Sequence, residues 1–235
     1  MGGTPTVSVT PATRAVAIVV AGGPLRPWPG GSSPEFTEVI AVDGGLDVAL
    51  AAGLRPSRLI GDLDSISSSG LAWAAANQIP VERHPADKDD TDTALALGWF
   101  VTSGLADHAD LVLLAAGQSE RLDHVLGTIG ALGASPLRVA RSITAHIGSA
   151  VVMVLHPGST RTRAVCHGST VSLLALHGSC DGVSIAGTKW ELLDAMLPAA
   201  STLGISNVAI EDTIVVTVAE GVLTVIVAGH AEIAQ

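Results

Sequence analysis

A change in hydrophobic period near residue 146 is the feature that most limits what this chain can fold into. Before it, short apolar runs alternate with segments of helical spacing. Such alternation is typical of βαβ units, which predict an α/β domain with a mostly parallel sheet. The predicted strands are 15–20, 38–42, 59–60, 81–83, 111–115 and 137–140, and the predicted helices are 46–52, 71–77, 91–103 and 122–132.

After residue 146 the chain has hardly any helical spacing. Strand-like runs separated by Gly, Pro, Ser and Asp lie at 149–155, 170–176, 182–185, 213–219 and 222–228. This pattern predicts an all-β sandwich. We therefore expect three parts: a loose N-terminal tail (1–14), an α/β catalytic domain (15–145) and a β-sandwich domain (146–235).

Composition and charge argue against several classes of partner. The 235 residues are 48% hydrophobic and carry a net charge of −10. An acidic chain without a basic run is a poor match for nucleic acid or an anionic membrane. No apolar stretch approaches the ~20 residues that span a bilayer, and 15–20 is too short for a signal-peptide core. We expect a cytoplasmic protein in which Cys166 and Cys180 are reduced thiols.

Three of the predicted strands run directly into aspartates. Asp43 follows the second strand, Asp62 and Asp64 follow the third, and the acidic segment 87–92 follows the fourth. Because the carboxyl ends of parallel strands share one edge of a sheet, these carboxylates should converge on one crevice. Their repulsion favours a bound cation, and oxygen ligands favour a hard ion such as Mg²⁺, which takes further ligands from water and phosphates. The sequence therefore predicts a Mg²⁺-dependent enzyme that handles phosphates.

The same polar residues also have ordinary structural explanations. Aspartates after a strand commonly form Asx turns or cap helices, and Asp92 can simply favour the dipole of the helix that it begins. Arg121 and Asp123 follow the fifth strand, where the guanidinium can bind phosphate and the carboxylate can accept a hydrogen bond from an alcohol. They can equally form an exposed ion pair of little energetic value. We expect His124 to be a packed or capping histidine. The coincidence of several clusters favours function.

Six short motifs lie along the chain, namely Asp43-Gly44-Gly45, Gly61-Asp62-Leu63-Asp64-Ser65, Asp87-Lys88-Asp89-x-Thr91-Asp92, Arg121-Leu122-Asp123-His124, Gly187-Thr188-Lys189-Trp190-x-Leu192 and Ser206-Asn207. Their order and spacing resemble those of the thiamine pyrophosphokinase family, over residues 15 to 227. Any one motif is common in proteins. Six in order across an α/β half and a β half are hard to obtain by chance.

The resemblance implies an activity and an assembly. The implied reaction transfers a pyrophosphoryl group from ATP to the hydroxyethyl oxygen of thiamine, which gives thiamine diphosphate and AMP. The implied assembly is a homodimer with active sites between subunits. Mg²⁺ is the implied cofactor, held by Asp62, Asp64 and Asp89 with Asp43 close by.

The resemblance also implies roles for residues around the metal. Lys88, Asp92, Arg121 and Asp123 belong to the same site by their motifs. Trp190 matches a residue that stacks on thiamine across the dimer interface, which suits a cationic aromatic ligand. Two further matched residues offer polar groups for ATP or thiamine, and these are Ser206 and Asn207.

The chain departs from the family pattern at three places. Leu46-Asp47 stands where Ala-Asn is usual, Gln118-Ser119-Glu120 replaces a small, Gly-rich run, and Thr188 stands where Leu is common. Glu120 beside Arg121 could weaken nucleotide binding. Two alternatives stay open: another Mg²⁺-dependent phosphotransferase or phosphohydrolase, and a non-catalytic thiamine or nucleotide sensor. The retained aspartates, Arg121 and Trp190 argue against a sensor.

Overall fold

The computed structural model describes residues 14–25, 35–107, 109–115 and 121–228. All but the last residue of the predicted tail 1–14 therefore lies outside the described residues. The helices are α1 (Gly45–Ala51), α2 (Ser68–Ala76), α3 (Asp92–Thr102) and α4 (Leu122–Leu132). The strands are β1 (Ala15–Val20), β2 (Glu38–Val42), β3 (Arg58–Gly61), β4 (Val81–Arg83), β5 (Asp110–Ala115), β6 (Ser142–Ile147), β7 (Ala150–Leu155), β8 (Ser159–Ala164), β9 (Thr170–Leu174), β10 (Cys180–Ala186), β11 (Leu192–Leu197), β12 (Asn207–Val208), β13 (Thr213–Val218) and β14 (Leu223–Ala228).

The described strands form two sheets. One has ten strands in the order β12-β9-β14-β7-β6-β5-β1-β2-β3-β4, and the other has four in the order β11-β10-β13-β8. In the larger sheet, six neighbouring strands pair in parallel, in the order β4, β3, β2, β1, β5 and β6. From β6 onward, β7, β14, β9 and β12 pair antiparallel. The predicted fold class, an α/β part followed by a β-sandwich, is confirmed.

The parallel strands read as continuous apolar runs because both of their faces are covered. In β1, Val16 and Ile18 join a core that includes Phe100 of α3. The alternate residues of β1, Ala17 and Val19, pack on the opposite face with Ala49 of α1. In the C-terminal part, the inner faces of the two sheets share a separate core, to which both β7 and β10 contribute. Helices thus cover the parallel strands, and the small sheet covers the antiparallel ones.

One predicted strand was wrong. Residues 137–140 were expected to be extended, but Ser135–Val139 forms a short 3₁₀ helix, and the strand comes later as β6. Pro136 suits the first turn of a helix because its fixed φ is already helical. Leu137, 2% exposed, supplies a core contact from this turn without joining a sheet.

Three strands of the C-terminal part were not predicted, namely β8, β11 and β12. The first two are the edges of the four-stranded sheet, and the third is an edge of the larger sheet. β8 is mostly polar and β12 has only two residues, so the apolar pattern used to find strands is weak in both, whereas β11 is mostly apolar but lacks regular alternation.

Burial of His146 on β6 leads to a prediction about stability against pH. Burial, with a smaller effect of the nearby Arg163 guanidinium, lowers the pKa of His146 to about 4. The unfolded chain, whose histidine titrates near 6.5, then binds the extra proton first. The contribution of His146 is therefore complete above about pH 6.5 and is lost as the pH falls toward 4, by at most about 3 kcal/mol.

The measurement is urea unfolding between pH 4 and 7 at fixed protein concentration. His146→Gln should reduce the change in the free energy of unfolding between pH 4 and 7 relative to the parent. The same change at the exposed His167 serves as the control. Equal slopes for the parent and His146→Gln would contradict the prediction.

Candidate active site

A cleft of about 570 Å³ opens at the carboxyl edge of the parallel strands. The ends of β1 and β5 contribute Val20 and Ala115 to its lining. In the sheet, β2, β3 and β4 lie on one side of β1, and β5 and β6 lie on the other. The cleft at the ends of β1 and β5 is therefore at the point where the strand order reverses. This is the position at which open α/β sheets bind ligands.

Asp43 connects the turns that follow β2 and β3. Its backbone has a φ of 46°, and its Oδ1 accepts a hydrogen bond from Leu63 N at 3.1 Å. The next residue, Gly44, donates its N–H to Ser65 Oγ at 2.9 Å. Burial raises the pKa of Asp43 to about 6, against the Leu63 N–H and with the help of the charges on Asp92 and Asp62. The cleft therefore holds a half-buried carboxylate whose charged form is disfavoured mainly by burial, with a smaller contribution from the neighbouring carboxylates.

Because Gly61 has no side chain, the Asp43 carboxylate can lie directly against its backbone. A Cβ built on Gly61 would overlap Asp43 Oδ1, and its φ of 147° is one that other residues rarely adopt. We expect Gly61→Ala to displace Asp43, to lower the free energy of unfolding by about 1 to 3 kcal/mol, and to reduce activity.

Gly53→Ala is the matched control for this substitution. Gly53 has a φ of 76°, but its Cβ would have nothing within 4 Å. It should therefore cost about 1 kcal/mol of backbone strain and leave activity intact. Urea unfolding and turnover of both variants test the difference, and equal turnover would mean that the position of Asp43 is unimportant.

Asp62 and Asp64 lie on the turn after β3, and both line the cleft. Asp64 N donates to Asp62 Oδ1 at 3.0 Å, which is an Asx turn. That backbone hydrogen bond is the main reason that the pKa of Asp62 is lowered, and the charge of Asp62 in turn raises the pKa of Asp64. The turn thus has the ordinary local structure and still presents two interacting carboxylates to the cleft.

The segment after β4 contributes both signs of charge. Lys88 Nζ lies 2.9 Å from Asp92 Oδ1 and 3.0 Å from Pro85 O. Asp92 is the first residue of α3, whose N-cap is Thr91. Lys88, Asp90 and Asp92 line the cleft. Asp89 is exposed and is not among the lining residues.

Arg121 and Asp123 form an ion pair at the start of α4. The guanidinium binds the carboxylate through two nitrogens, with Nη2 to Oδ2 at 2.7 Å, and both side chains are nearly two-thirds exposed. The pairing lowers the pKa of Asp123 to about 2. Arg121 lines the cleft, whereas Asp123 does not. The departure at Gln118-Ser119-Glu120 lies outside the described residues.

The other predicted site residues lie elsewhere. Trp190, Ser206 and Asn207 are in the C-terminal part and do not line the cleft. Asn207 begins β12, which is seven strand positions from β2 in the sheet. At the usual strand spacing, Asn207 and Asp43 are roughly 30 Å apart along the sheet. One thiamine cannot touch both positions within one chain.

Several residues that line the cleft were missed or set aside by the sequence analysis. Ser65 and Asp90 belong to the matched clusters. His124 and Thr128, with Arg121, lie on the cleft side of the α4 segment. Their spacing of three or four residues is the signal that identifies one helix face, and it could have been read from the sequence.

The departure at Asp47 has a structural role. Its carboxylate accepts hydrogen bonds from Ser67 N at 2.7 Å and from Ser67 Oγ at 2.6 Å. Ser67 is the N-cap of α2, so Asp47 joins α1 to the start of α2. Asp47 does not line the cleft.

Helices α3 and α4 begin at the cleft, and their positive N-terminal ends favour anions there. An enzyme that holds a metal-bound polyphosphate needs carboxylates for the metal and cationic side chains for the phosphates. Both kinds of group lie here at the ligand-binding edge of an α/β sheet. The fold and the cleft thus define a nucleotide-dependent phosphotransferase.

The particular family follows from comparison with known proteins. The thiamin pyrophosphokinase catalytic-domain model matches residues 35–142, and the vitamin B1 binding-domain model of the same family matches residues 160–223. Together they match more than two thirds of the chain. The chain therefore belongs to the thiamine pyrophosphokinase family. It is an enzyme that transfers pyrophosphate from ATP to thiamine.

Individual relatives agree with this assignment. The thiamine pyrophosphokinase of Bacillus subtilis (strain 168) is 28% identical over 210 residues, which are 88% of this chain and 96% of the relative. A crystal structure of the Bacillus subtilis enzyme has a TM-score of 0.76 at 23% identity, covering 92% of this chain and 99% of that one. The thiamin pyrophosphokinase of Geobacillus thermodenitrificans has a TM-score of 0.73 at 26% identity, covering 93% and 99%.

Proposed function

We propose that the cleft binds ATP with Mg²⁺ and that Asp62, Asp64 and Asp89 hold the metal. The observation that carries the proposal is the crowding of Asp43, Asp62, Asp64 and Asp92 around the ammonium group of Lys88. Carboxylates in such a group repel one another, so a divalent cation stabilises them. Asp89, which is exposed next to Asp90, would join Asp62 and Asp64 at the metal with its side chain turned toward the cleft.

The donor atoms suit Mg²⁺. The family generally requires a divalent metal, and the cleft offers carboxylate oxygens to it. Among the described residues, no group of three or more His, Cys, Asp or Glu side chains is close enough to hold an ion alone. Mg²⁺ is commonly held by one or two carboxylates, with the rest of its ligands from waters and substrate phosphates.

The cationic side chains have separate roles in the reaction. A bound Mg²⁺ supplies neutralisation of phosphate charge and orientation of the transferred group. Lys88 and Arg121 bind phosphate oxygens, and Arg121 does so in a position held by Asp123. Because Asp123 has a pKa of about 2, it stays ionised at neutral pH and acts as a hydrogen-bond acceptor. Asp92 keeps the ammonium group of Lys88 in the cleft.

Thiamine binds between two copies of the chain. Trp190 is 55% exposed and is followed on β11 by Leu193 and Met196, which are 88% and 60% exposed. Such apolar exposure is typical of an interface. Within one chain Trp190 lies far from the cleft, so a second copy that covers this surface is the arrangement by which Trp190 would reach it. We propose a homodimer in which Trp190 of one protomer stacks on thiamine held by the aspartates of its partner, with Ser206 at the thiamine site.

The domains and the location of the protein complete the proposal. We propose that residues 15–145 bind ATP and the metal, and that residues 146–235 bind thiamine and form the dimer. The division falls within β6 (Ser142–Ile147), and the larger sheet is continuous across it, so the division is one of function. None of the helices in the described ranges is long and apolar enough to cross a bilayer. We place the enzyme in the cytoplasm.

One assay tests the activity and separates the alternatives. Incubation with ATP, Mg²⁺ and thiamine should give equimolar AMP and thiamine diphosphate, with Mg²⁺ supporting the reaction better than Ca²⁺. Release of phosphate or ADP without dependence on thiamine would indicate a different phosphotransferase or phosphohydrolase. Ligand binding without turnover would indicate a sensor. Sedimentation analysis should give a dimer mass.

A further inference from the structure

The side-chain amide of Asn207 holds the backbone of Trp190 from both sides. Trp190 N donates to Asn207 Oδ1 at 3.1 Å, and Asn207 Nδ2 donates to Trp190 O at 2.6 Å. Asn207 is 5% exposed, and its Oδ1 also accepts from Val208 N at 2.8 Å. We call these two bonds to Trp190 the amide clamp. A buried amide bound on both sides fixes the backbone where it leaves the turn after β10.

Thr188 completes the amide clamp. It is 1% exposed, its Oγ1 accepts a hydrogen bond from Asn207 Nδ2 at 3.0 Å, and its hydroxyl lies 3.4 Å from Trp190 O. Both N–H groups of the Asn207 amide are thus used, and its oxygen accepts two bonds, which is its capacity. The side-chain amide of Asn207 therefore has no hydrogen-bonding capacity left for thiamine or ATP. A leucine at position 188 would leave one amide N–H of Asn207 without this partner.

The indole ring is restrained on one face as well. Lys189 Nζ lies 4.6 Å from the centre of the Trp190 ring, within the range of a cation–π contact. The ring still projects into solvent, with 55% of the residue exposed. A platform that is already held in place binds a ligand more tightly, because less motion is lost on binding.

We propose that Asn207, supported by Thr188, is a positioning residue for thiamine: it sets the Trp190 indole for stacking and makes no contact with substrate. This inference rests on the proposed stacking role of Trp190. It assigns to Asn207 a function different from the direct ligand contact that its motif suggested, and it gives the departure at Thr188 a role in the same arrangement.

Two substitutions test the amide clamp. Asn207→Asp replaces the amide nitrogen by an oxygen that repels Trp190 O, and it should raise the KM for thiamine about tenfold. Thr188→Val removes one bond and should raise it about threefold, whereas Thr188→Ser should restore the parent value. The KM for ATP and kcat should stay within about twofold of the parent. If Asn207→Asp does not fold, the Thr188 pair decides.

Thr224→Val is the matched control. Thr224 is a fully buried threonine on β14 whose hydroxyl lies 3.3 Å from His177 Nε2. The change removes the same hydroxyl at the same burial, away from Trp190. It should leave the KM for thiamine unchanged. A rise equal to that of Thr188→Val would mean that general loss of stability causes the effect, and it would overturn the inference.

A double-mutant cycle separates positioning from direct contact. In a Trp190→Ala background the indole is absent, so Asn207→Asp should cause no further rise in the KM for thiamine, and neither should Thr188→Val. If the double variant instead showed the product of the two single-variant rises in the KM for thiamine, Asn207 would contact the substrate itself, and the inference would be overturned. An unchanged KM for thiamine in Trp190→Ala alone would instead overturn the proposed stacking. If Trp190→Ala raised the KM for thiamine but the folded Asn207→Asp and Thr188→Val variants did not, only the positioning role would be overturned.

Discussion

Asp62→Asn and Asp64→Asn should each lower the rate of thiamine diphosphate formation about a hundredfold or more with little loss of fold. Each change removes one negative charge from the proposed metal site. The turn itself survives, because an asparagine oxygen at position 62 can accept the same 3.0 Å bond from residue 64 N. Initial rates at several Mg²⁺ concentrations, with thermal unfolding of each variant, provide the measurement. Excess Mg²⁺ should recover part of the lost activity.

Asp107→Asn is the control for charge. Asp107 is exposed near the start of β5, at the opposite edge of the sheet from the cleft. It should leave the rate and its Mg²⁺ dependence unchanged. Near-normal turnover of Asp62→Asn or Asp64→Asn at limiting Mg²⁺ would show that the carboxylate concerned does not hold the metal.

Trp190→Ala should raise the KM for thiamine while the binding of Mg²⁺-ATP changes much less. The loss of an aromatic stack on a desolvated cationic ring costs about 1 to 3 kcal/mol, which is a factor of about 5 to 150. Trp190 is a good position for this measurement because its side chain is exposed, so truncation leaves no cavity in the core. Thiamine titrations of the rate, with separate titrations of ATP binding, test the prediction.

The same substitution tests whether the site is shared between protomers. A mixed dimer of Trp190→Ala and Asp62→Asn carries both lesions in one cleft and neither in the other. Random mixing makes half of the dimers mixed, so activity at low thiamine should recover to about a quarter of the parent level. Mixed dimers that form and show no recovery would mean that each site is built within one chain. With Asp107→Asn in place of Asp62→Asn the expected level is about half of the parent, with or without exchange of protomers, which sets the scale for a partner with an intact cleft.

Much of the fold could be read from local patterns. The bounds of β1, β2, β4 and α4 agree with the predicted segments, because apolar runs and helical spacing are properties of neighbouring residues. The aspartates after β2 and β3 were likewise predicted to converge, and Asp43, Asp62 and Asp64 do line one cleft. Parallel pairing requires this result, since it places the ends of all such strands at one edge.

Other features depend on residues far apart in the chain. The shift from a strand at 137–140 to β6 depends on which segment supplies the pairing between β5 and β7. The presence of Asp90 in the cleft lining and the absence of Asp89 from it depend on the path of the turn before α3. Neither follows from the composition of the segment, since both residues are aspartates.

The sequence by itself determined the order of elements, the acidic edge and the family, because each is encoded in short motifs and in periodicity. Only the tertiary structure decided that Asn207 holds the backbone of Trp190, through contacts between residues 17 positions apart. It alone placed this pair seven strands from Asp43. The physical reason is that strand order and side-chain hydrogen bonds are set by packing of distant segments, on which the local pattern of either segment carries no information.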